Sequence, residues 1–390
     1  MMIRWVPATI PSDRPIFAAF VFHSFAVGTL FARIAEVQRY LDLSEDQFGL
    51  TLMGFTGGVF LGSTAISGLV DRVGPCRLIL WIAPTFAASI LPVGLVVNSL
   101  TLFAAMFGVG LALAVTNIAM NVEADRFEAS TGQRIMNRCH GFWGVGYLAS
   151  TSIASGLIAL NVSLLVHFLG LFAVAVLVSL FVFRGMIDSP ARVANKSTGK
   201  RLVAVPTLPI ILILGFGISG MWLEGATRFW SVIYLRDVFN EPEWLSALSL
   251  TALIATQTLG RFLADDWIDH YGAVAVARTL SLVSLTGLVM VVFAGSTALV
   301  FVGLALIGLG ISTVHPQSLS AAAQLGDRPA GENVAALSAL QTLIVFAGPP
   351  VFGFVGSEFG LRAAFGVALP LPILALYFAR YLAVSRSSYQ

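Results

Sequence analysis

An acidic and a basic side chain lie four residues apart in a long apolar stretch of the chain. Glu224 and Arg228 would share one face of a helix, close enough to pair. Inserting an ionisable side chain in the middle of a membrane costs roughly 2.5–3.5 kcal/mol of free energy, so such a residue is expected to have a binding partner or a function. Two interpretations stay open: an ion pair that braces a helix bundle, or a carboxylate that takes a proton or grips a ligand. Glu224 is the first candidate for carrying a coupling proton.

Other polar side chains interrupt apolar stretches in the same way. Asn117 and Asn121 share a helical face and either bind a ligand or hydrogen-bond a neighbouring helix. His315 and Gln317 point in nearly opposite directions on a regular helix, unless Pro316 disturbs it. His315 is the second candidate proton carrier because imidazole titrates near neutrality, and a neutral packing histidine is the other interpretation.

The remaining candidates carry the same two alternatives, ligand binding or packing. They are His23, Trp222 and Arg33, the last of which could simply pair with Glu36. The complete set of candidate ligand-binding residues is His23, Arg33, Asn117, Asn121, Trp222, Glu224, Arg228, His315 and Gln317. A further stripe at three-to-four spacing is either helix packing or functional: His140, Trp143 and Tyr147.

The chain that must position these side chains is 390 residues long and 57% hydrophobic, with only 11% charged residues. Soluble domains carry about 25% charged residues, so the composition indicates a membrane protein. The net charge of +2 gives no basis for nucleic-acid binding. At about 20 residues per crossing, the sequence predicts twelve spans: 15–38, 45–70, 77–98, 100–124, 135–160, 163–184, 207–236, 244–265, 273–294, 297–324, 331–357 and 361–384.

The only long polar connection divides these spans into six plus six. It predicts an N-terminal six-helix bundle over 1–184, a cytoplasmic linker over 185–206 and a C-terminal six-helix bundle over 207–390. Cys76 and Cys139 fall at predicted span ends and are expected to be unpaired thiols. No signal peptide is expected at the N-terminus.

Arginine placement predicts the orientation in the membrane. With both termini cytoplasmic, most arginines, Arg261 among them, fall on the inner side, and only Arg39, Arg236 and Arg362 fall outside. Positive residues concentrate on the cytoplasmic side of membrane proteins. The expected location is therefore the bacterial inner membrane, with multiple crossings.

One short pattern occurs twice. Leu61-Gly62 leads to Asp71-Arg72-Val73-Gly74, and Leu259-Gly260 leads to Asp269-His270-Tyr271-Gly272 with the same spacing. Repeated halves are typical of alternating-access transporters. The glycines Gly54, Gly58 and Gly62, which lead into the first copy, favour close helix packing, either at a gating interface or in a static one.

The first copy, from Gly68 to Arg77, resembles the signature loop of the major facilitator superfamily, and the resemblance covers the whole chain. It implies an all-α membrane protein with twelve transmembrane helices in two pseudo-symmetric six-helix bundles. It also implies that spans one, four, seven and ten line a central cavity, and these four spans carry the candidate residues. The resemblance further implies a cytoplasmic conformational latch formed by Gly68, Asp71, Arg72, Gly74, Arg77, Asp265 and Asp269.

A narrower resemblance is to the fucose-permease-like and related bacterial branch. It rests on the stretch from Arg33 to Gly49, on Asn117 to Asn121, and on Glu224-Gly225 with the segment Trp230 to Arg236. The chain departs from that branch twice. Asn117 stands where the branch has a carboxylate, and Phe229 stands where relatives often have an aspartate.

The expected function is secondary active transport of a small polar solute, sugar-like or otherwise hydroxylated or zwitterionic, by alternating access and proton-coupled uptake. The alternative is a proton-coupled exporter of a drug or metabolite, and a transport-like receptor is a remote third. An enzyme is not expected, because the dinucleotide-like Gly215, Gly217 and Gly220 follow no strand. The expected partners are the solute, protons and the lipid bilayer, in a monomer without nucleic acid, cofactor or metal.

Overall fold

The computed structural model describes residues 12–65, 67–133, 135–190, 205–328 and 330–383, and it contains no strand in these ranges. The helices of the first half are α1 (Asp13–Tyr40), α2 (Glu45–Ala65), α3 (Ser67–Val73), α4 (Pro75–Ile90), α5 (Ser99–Thr131), α6 (Met136–Ala159) and α7 (Leu164–Val178). Those of the second half are α8 (Leu208–Phe239), α9 (Glu243–Tyr271), α10 (Ala273–Phe293), α11 (Thr297–Ile311), α12 (Val314–Ala323), α13 (Ala330–Phe359), α14 (Leu361–Gly366) and α15 (Pro370–Phe378).

The predicted number of crossings and the all-α membrane fold are confirmed. In the described residues, eleven helical stretches are long and apolar enough to cross a membrane. The 21-residue α2 makes the twelfth crossing. The crossings that contain α4, α7 and α15 are extended by short irregular helical turns at Leu91–Leu95, Ser179–Phe183 and Ala379–Leu382.

Two predicted spans end too early. The sequence predicts ends at 124 and 265, whereas α5 continues to Thr131 and α9 to Tyr271. Polarity marks the membrane boundary but does not end a helix. These helices end at Gly132 and Gly272, whose φ angles of 72° and 83° favour glycine.

The repeated loop has the same geometry in both copies. Gly74 and Gly272 have φ angles of 92° and 83°, and both amides donate to the carbonyl four residues earlier. Each glycine also precedes the first turn of a new helix, α4 or α10. The positive φ of Gly74 allows the tight turn between α3 and α4.

The tenth crossing is broken, not continuous. Its helix is interrupted at Ser312–Thr313, between α11 and α12. Pro316 explains the position of the break, because it has no amide hydrogen to donate to the carbonyl of Ser312. His315 lies in the first turn after the break, on an exposed position, whereas Gln317 is buried. The predicted divergence of these two side chains is confirmed.

The two halves meet chiefly along two helix pairs, α2 with α13 and α6 with α9, with a smaller contact between α1 and α8. The glycine stripe Gly54, Gly58 and Gly62 is not at this interface. It packs against the backbone and side chains of α5, so it serves close packing inside the first half. The close approach between halves involves Gly49, whose added Cβ would lie 2.5 Å from the carbonyl oxygen of Pro349 on α13.

Polar bonds join the halves at one end of the molecule. We call this the closed end, and it comprises residues 33–49, 151–163, 229–251 and 349–362. Arg236 on α8 donates to the carbonyl of Ala35 (2.7 Å) and to Oε1 of Gln38 (2.5 Å), both on α1. Arg39 pairs with Glu243 at 2.8 Å. Thr251 bonds Thr151, and Ser155 bonds the carbonyl of Trp244.

Aromatic rings fill the space beneath these bonds. Phe229 of α8 makes edge-on contacts with Phe31 and Phe55 of the first half, at 5.1 and 6.2 Å between ring centroids. Trp230 packs edge-on against Phe48 across the interface. Every residue of α8 from 229 to 236 is buried. The closed end is therefore sealed to solvent.

Candidate functional site

The Glu224–Arg228 pair lies on α8, on the side of the seal away from the closed end. Nη2 of Arg228 is 2.5 Å from Oε1 of Glu224, which confirms the predicted pairing. Each side chain keeps about one-fifth of its surface exposed, 20% for Arg228 and 19% for Glu224.

The pair faces the stripe on α6 across the interface between the halves. The guanidinium of Arg228 lies 5.6 Å from the ring centroid of Tyr147. Trp143, one turn earlier on α6, packs against Tyr147 at 5.3 Å between ring centroids. A cation over an aromatic face is attracted by the ring's electron density. The stripe on α6 therefore contacts the Glu224–Arg228 pair. The packing of Trp143 against Tyr147 also holds the Tyr147 ring beside Arg228.

Arg261 on α9 is one residue that sequence reasoning did not place in the site. The predicted span ends at 265, but the helix continues, and Arg261 lies ten residues before the end of α9 at Tyr271. That distance is about 15 Å along a helix. Its guanidinium lies 6.0 Å from the ring centroid of Trp143 and interacts electrostatically with Glu224 and Arg228.

Two histidines complete the group. His140 of α6 and His315 of α12 are exposed, and each interacts electrostatically with Arg261. We use the name polar cluster for His140, Trp143, Tyr147, Glu224, Arg228, Arg261 and His315. The cluster draws on α6 from the first half and on α8, α9 and α12 from the second, so its geometry depends on how the halves sit together.

Gln257 is a second residue that sequence reasoning missed. It lies one helical turn from Arg261 on the same face of α9, and it is buried. Neither its amide nitrogen nor its amide oxygen has a hydrogen-bond partner among the described residues. A buried amide without partners costs free energy. The signal in the sequence was the four-residue spacing of Gln257 and Arg261 inside an apolar helix.

His23 supports the cluster from behind. It is buried on α1, and its Nδ1 accepts a hydrogen bond of 3.1 Å from the indole nitrogen of Trp143. Its ring also stacks on Phe86 of α4, at 5.6 Å between centroids. His23 therefore fixes the orientation of the indole that Arg261 faces.

The other predicted binding residues lie elsewhere. Arg33 is buried at the closed end, where it donates to the carbonyl of Val162 at 2.6 Å and forms the expected alternative ion pair with Glu36 at 3.0 Å. Asn117 and Asn121 bond each other on α5 through their amides, at 2.5 Å. Trp222 lines a small apolar crevice between α8 and α13. Gln317 is buried, and its amide atoms are without partners among the described residues.

The predicted latch is described only in part. Arg72 and Arg77 are exposed at the turn around Gly74, and Asp265 and Asp269 are exposed near the end of α9. The side chain of Asp71 lies outside the described residues, whereas Gly68 lies within α3. The latch role stays a prediction.

A cluster of potential metal-binding atoms also lies beside this turn. The ligand atoms of Cys76, Glu123 and Asp188 lie within 4.8 Å of one another, a grouping that sequence spacing did not reveal. Asp188 accepts from the amide of Cys76 at 2.7 Å, and Glu123 accepts from the amide and hydroxyl of Ser189. These bonds tie the segment after the sixth crossing to α4 and α5. Cys76 and Cys139 are both free and buried.

Comparison with known proteins agrees with this architecture. The family model of the Major Facilitator Superfamily matches residues 16–346. An uncharacterized transporter of Sinorhizobium fredii, y4wD, is 27% identical over 354 residues, covering 90% of this chain and 93% of that protein.

Solved structures show the same fold. A variant of the nucleoside transporter NupG superposes with a TM-score of 0.76 at 15% identity, over 95% of this chain and 100% of that one. A bacterial homolog of the human lysosomal transporter Spinster, in an inward-facing and occupied conformation, gives 0.73 at 14% identity, over 95% and 96%.

Proposed function

Since the chain belongs to the major facilitator superfamily and is a multi-pass membrane transporter and not an enzyme, we propose that it carries a small polar solute by alternating access, in proton-coupled uptake. The observation that best supports this proposal is the polar cluster, which bridges the two halves beneath the closed end. A ligand held there contacts both halves, so its binding responds to their relative movement.

The proposed setting is the bacterial inner membrane, with both termini cytoplasmic and the chain acting as a monomer. In this orientation the closed end faces outward and the polar cluster is reached from the cytoplasm. The excess of arginines at the end opposite the closed end supports the assignment. We propose two six-helix bundles, 1–184 and 207–390, joined by the linker 185–206, as the moving bodies.

Glu224 is the proposed site of the coupling proton, with His315 as the alternate. When the carboxylate is ionised it pairs with Arg228, and when it is protonated the arginine is released to a solute. Such an exchange of partners couples the proton to the solute without any further charged group.

The test uses the purified chain in proteoliposomes and a labelled solute chosen by thermal-shift screening of sugars, amino acids and organic acids. A pH gradient should drive accumulation by the native chain. Glu224→Gln should abolish that accumulation and retain exchange between equal pools of solute, because exchange moves no net proton. Glu358→Gln, which alters an exposed carboxylate at the closed end, is the control.

Undiminished accumulation by Glu224→Gln would show that the pair only braces the bundle. Reversing the pH gradient separates uptake from export, because a proton-coupled exporter accumulates solute only when the pH gradient has the opposite direction. Binding without accumulation in either direction would indicate a receptor.

A further inference from the structure

The formal charges of the ionised groups in the polar cluster do not sum to zero. Glu224 carries one negative charge, whereas Arg228 and Arg261 each carry a positive charge. The bonded partner of Glu224 is Arg228, at 2.5 Å. The remaining members that titrate near neutral pH are His140 and His315, and they add only positive charge when protonated. The cluster therefore has a formal excess of at least one positive charge.

Arg261 carries this excess. Among the described residues it has no hydrogen bond or ion pair, and its neighbours are the ring of Trp143 and the charges of Glu224 and Arg228. A cationic side chain within the membrane is costly and is retained where it has a function. Beside it, the amide of Gln257 is buried, and neither of its polar atoms has a hydrogen-bond partner in the part of the chain that the structure describes.

We propose that the transported solute is an organic anion whose carboxylate or phosphate group binds Arg261 and Gln257, an inference that rests on the proposed transport function. A guanidinium presents two parallel donors that match an oxyanion. The amide nitrogen of Gln257 supplies a further donor to the same group. While Glu224 is ionised, one bound negative charge brings the formal sum of the cluster to zero.

The other solute classes fit less well. A cation would add to the excess charge in a site of low dielectric constant, where like charges repel strongly. A neutral hydroxylated compound would leave the excess charge of Arg261 uncompensated. The indole of Trp143, held by His23, gives the body of an organic anion a flat apolar surface beside the guanidinium.

The charge is tested first, without knowledge of the solute, by quenching tryptophan fluorescence with iodide or caesium. The signal of Trp143 is obtained by subtracting that of Trp143→Phe. A unit charge 6.0 Å from the ring changes the local concentration of either ion by about threefold in water, before screening by salt. Iodide should therefore quench Trp143 better than caesium, and Arg261→Gln should remove most of that preference.

Arg261→Lys keeps the charge and should keep the preference. Arg184→Gln removes the same charge from an exposed position after α7 and should change nothing. Equal quenching by the two ions, or no effect of Arg261→Gln, overturns the proposal.

The ligand class is tested by thermal shift of the full chain with matched compounds. The sets are gluconate, glucose and glucosamine; benzoate, benzyl alcohol and benzylamine; and glycerol 3-phosphate with glycerol. Anionic members should raise the melting temperature, and Arg261→Gln should abolish the rise. The first two sets report on carboxylates and the third on phosphates. Stabilisation by neutral or cationic members instead, or by no anion, overturns the proposal.

The two proposals fail in different ways. An anion that binds through Arg261 but does not accumulate in proteoliposomes contradicts transport and leaves the anion site standing. A neutral solute that accumulates equally in the native chain and in Arg261→Gln supports transport and refutes the anion site.

Discussion

The bonds made by Arg236 give the sharpest test of how the closed end is held. Arg236 on α8 reaches across to the carbonyl of Ala35 and to Gln38 on α1. Arg236→Met preserves much of the length of the side chain and removes both bonds. Its ion-pair partner, Asp237, is 37% exposed and regains water, so the main loss is the contact between the halves.

The size of the effect follows from the two lost bonds. Bonds from a charged donor contribute about 1.5–3 kcal/mol each, so the lower end of the range gives about 3 kcal/mol for the pair. At 1.4 kcal/mol per factor of ten, this shifts the equilibrium by about a hundredfold toward states with the closed end open. The other links, Arg39–Glu243, Thr251–Thr151 and Ser155–Trp244, remain.

The assay is labelling of Ala35→Cys by a membrane-impermeant thiol reagent, in a chain whose Cys76 and Cys139 are replaced by serine. Position 35 is 2% exposed in the sealed state, so labelling reports opening. Arg236→Met should raise the labelling rate by about the same factor as the equilibrium shift, about a hundredfold.

The matched control is Arg362→Met. Arg362 also donates to two backbone carbonyls at the closed end, those of Val292 and Ala294, but both belong to its own half. Equal labelling in the two variants, or no rise with Arg236→Met, would refute the idea that bonds between the halves hold the seal.

Two further substitutions address other parts of the fold. Gly49→Val should also open the closed end and raise labelling at position 35, because its side chain would collide with the carbonyl of Pro349; Gly57→Ala, whose Cβ has 3.7 Å of space, is the control. Glu123→Gln should lower the free energy of unfolding by about 1–3 kcal/mol, measured by thermal denaturation, because it weakens the two bonds from Ser189. An unchanged melting temperature would contradict this.

Local spacing predicted those parts of the site that lie within one helix. The Glu224–Arg228 pair follows from a four-residue interval, and the divergence of His315 from Gln317 follows from a two-residue interval. Both are properties of helical geometry alone. The twelve crossings followed from hydropathy, because a lipid environment requires continuous apolar helices.

Contacts between helices distant in sequence could not be obtained in the same way. Arg261 looked like a residue at the cytoplasmic end of a span because the apolar run seemed to end at 265. The helix in fact continues to Tyr271, since polar residues extend it until Gly272 allows it to stop. Arg33 was a candidate either for solute binding or for pairing with Glu36. The pair with Glu36 is present, but the bond to the carbonyl of Val162, 129 residues away in the sequence, could not be predicted from local spacing.

The seal and the polar cluster are carried by the same rigid helices. Helix α6 carries Thr151 and Ser155 at the closed end and Trp143 in the cluster, while α8 carries Arg236 and Arg228. Eight residues separate Arg236 from Arg228, about 12 Å of helix. Movement that breaks the seal must therefore also change the spacing of the cluster.

This linkage sets what a solute must do. A ligand shifts a conformational equilibrium only by the difference in its affinity for the two states, and a shift from 1:99 to 99:1 takes about 5.5 kcal/mol. One bond from a charged donor supplies about 1.5–3 kcal/mol, so a productive solute needs several contacts whose geometry changes between states. Trp143 on one half and Arg228, Gln257 and Arg261 on the other provide such a set. Because Arg236→Met depletes the sealed state in which these groups converge, it should weaken solute binding as well as open the seal, whereas Arg362→Met should do neither.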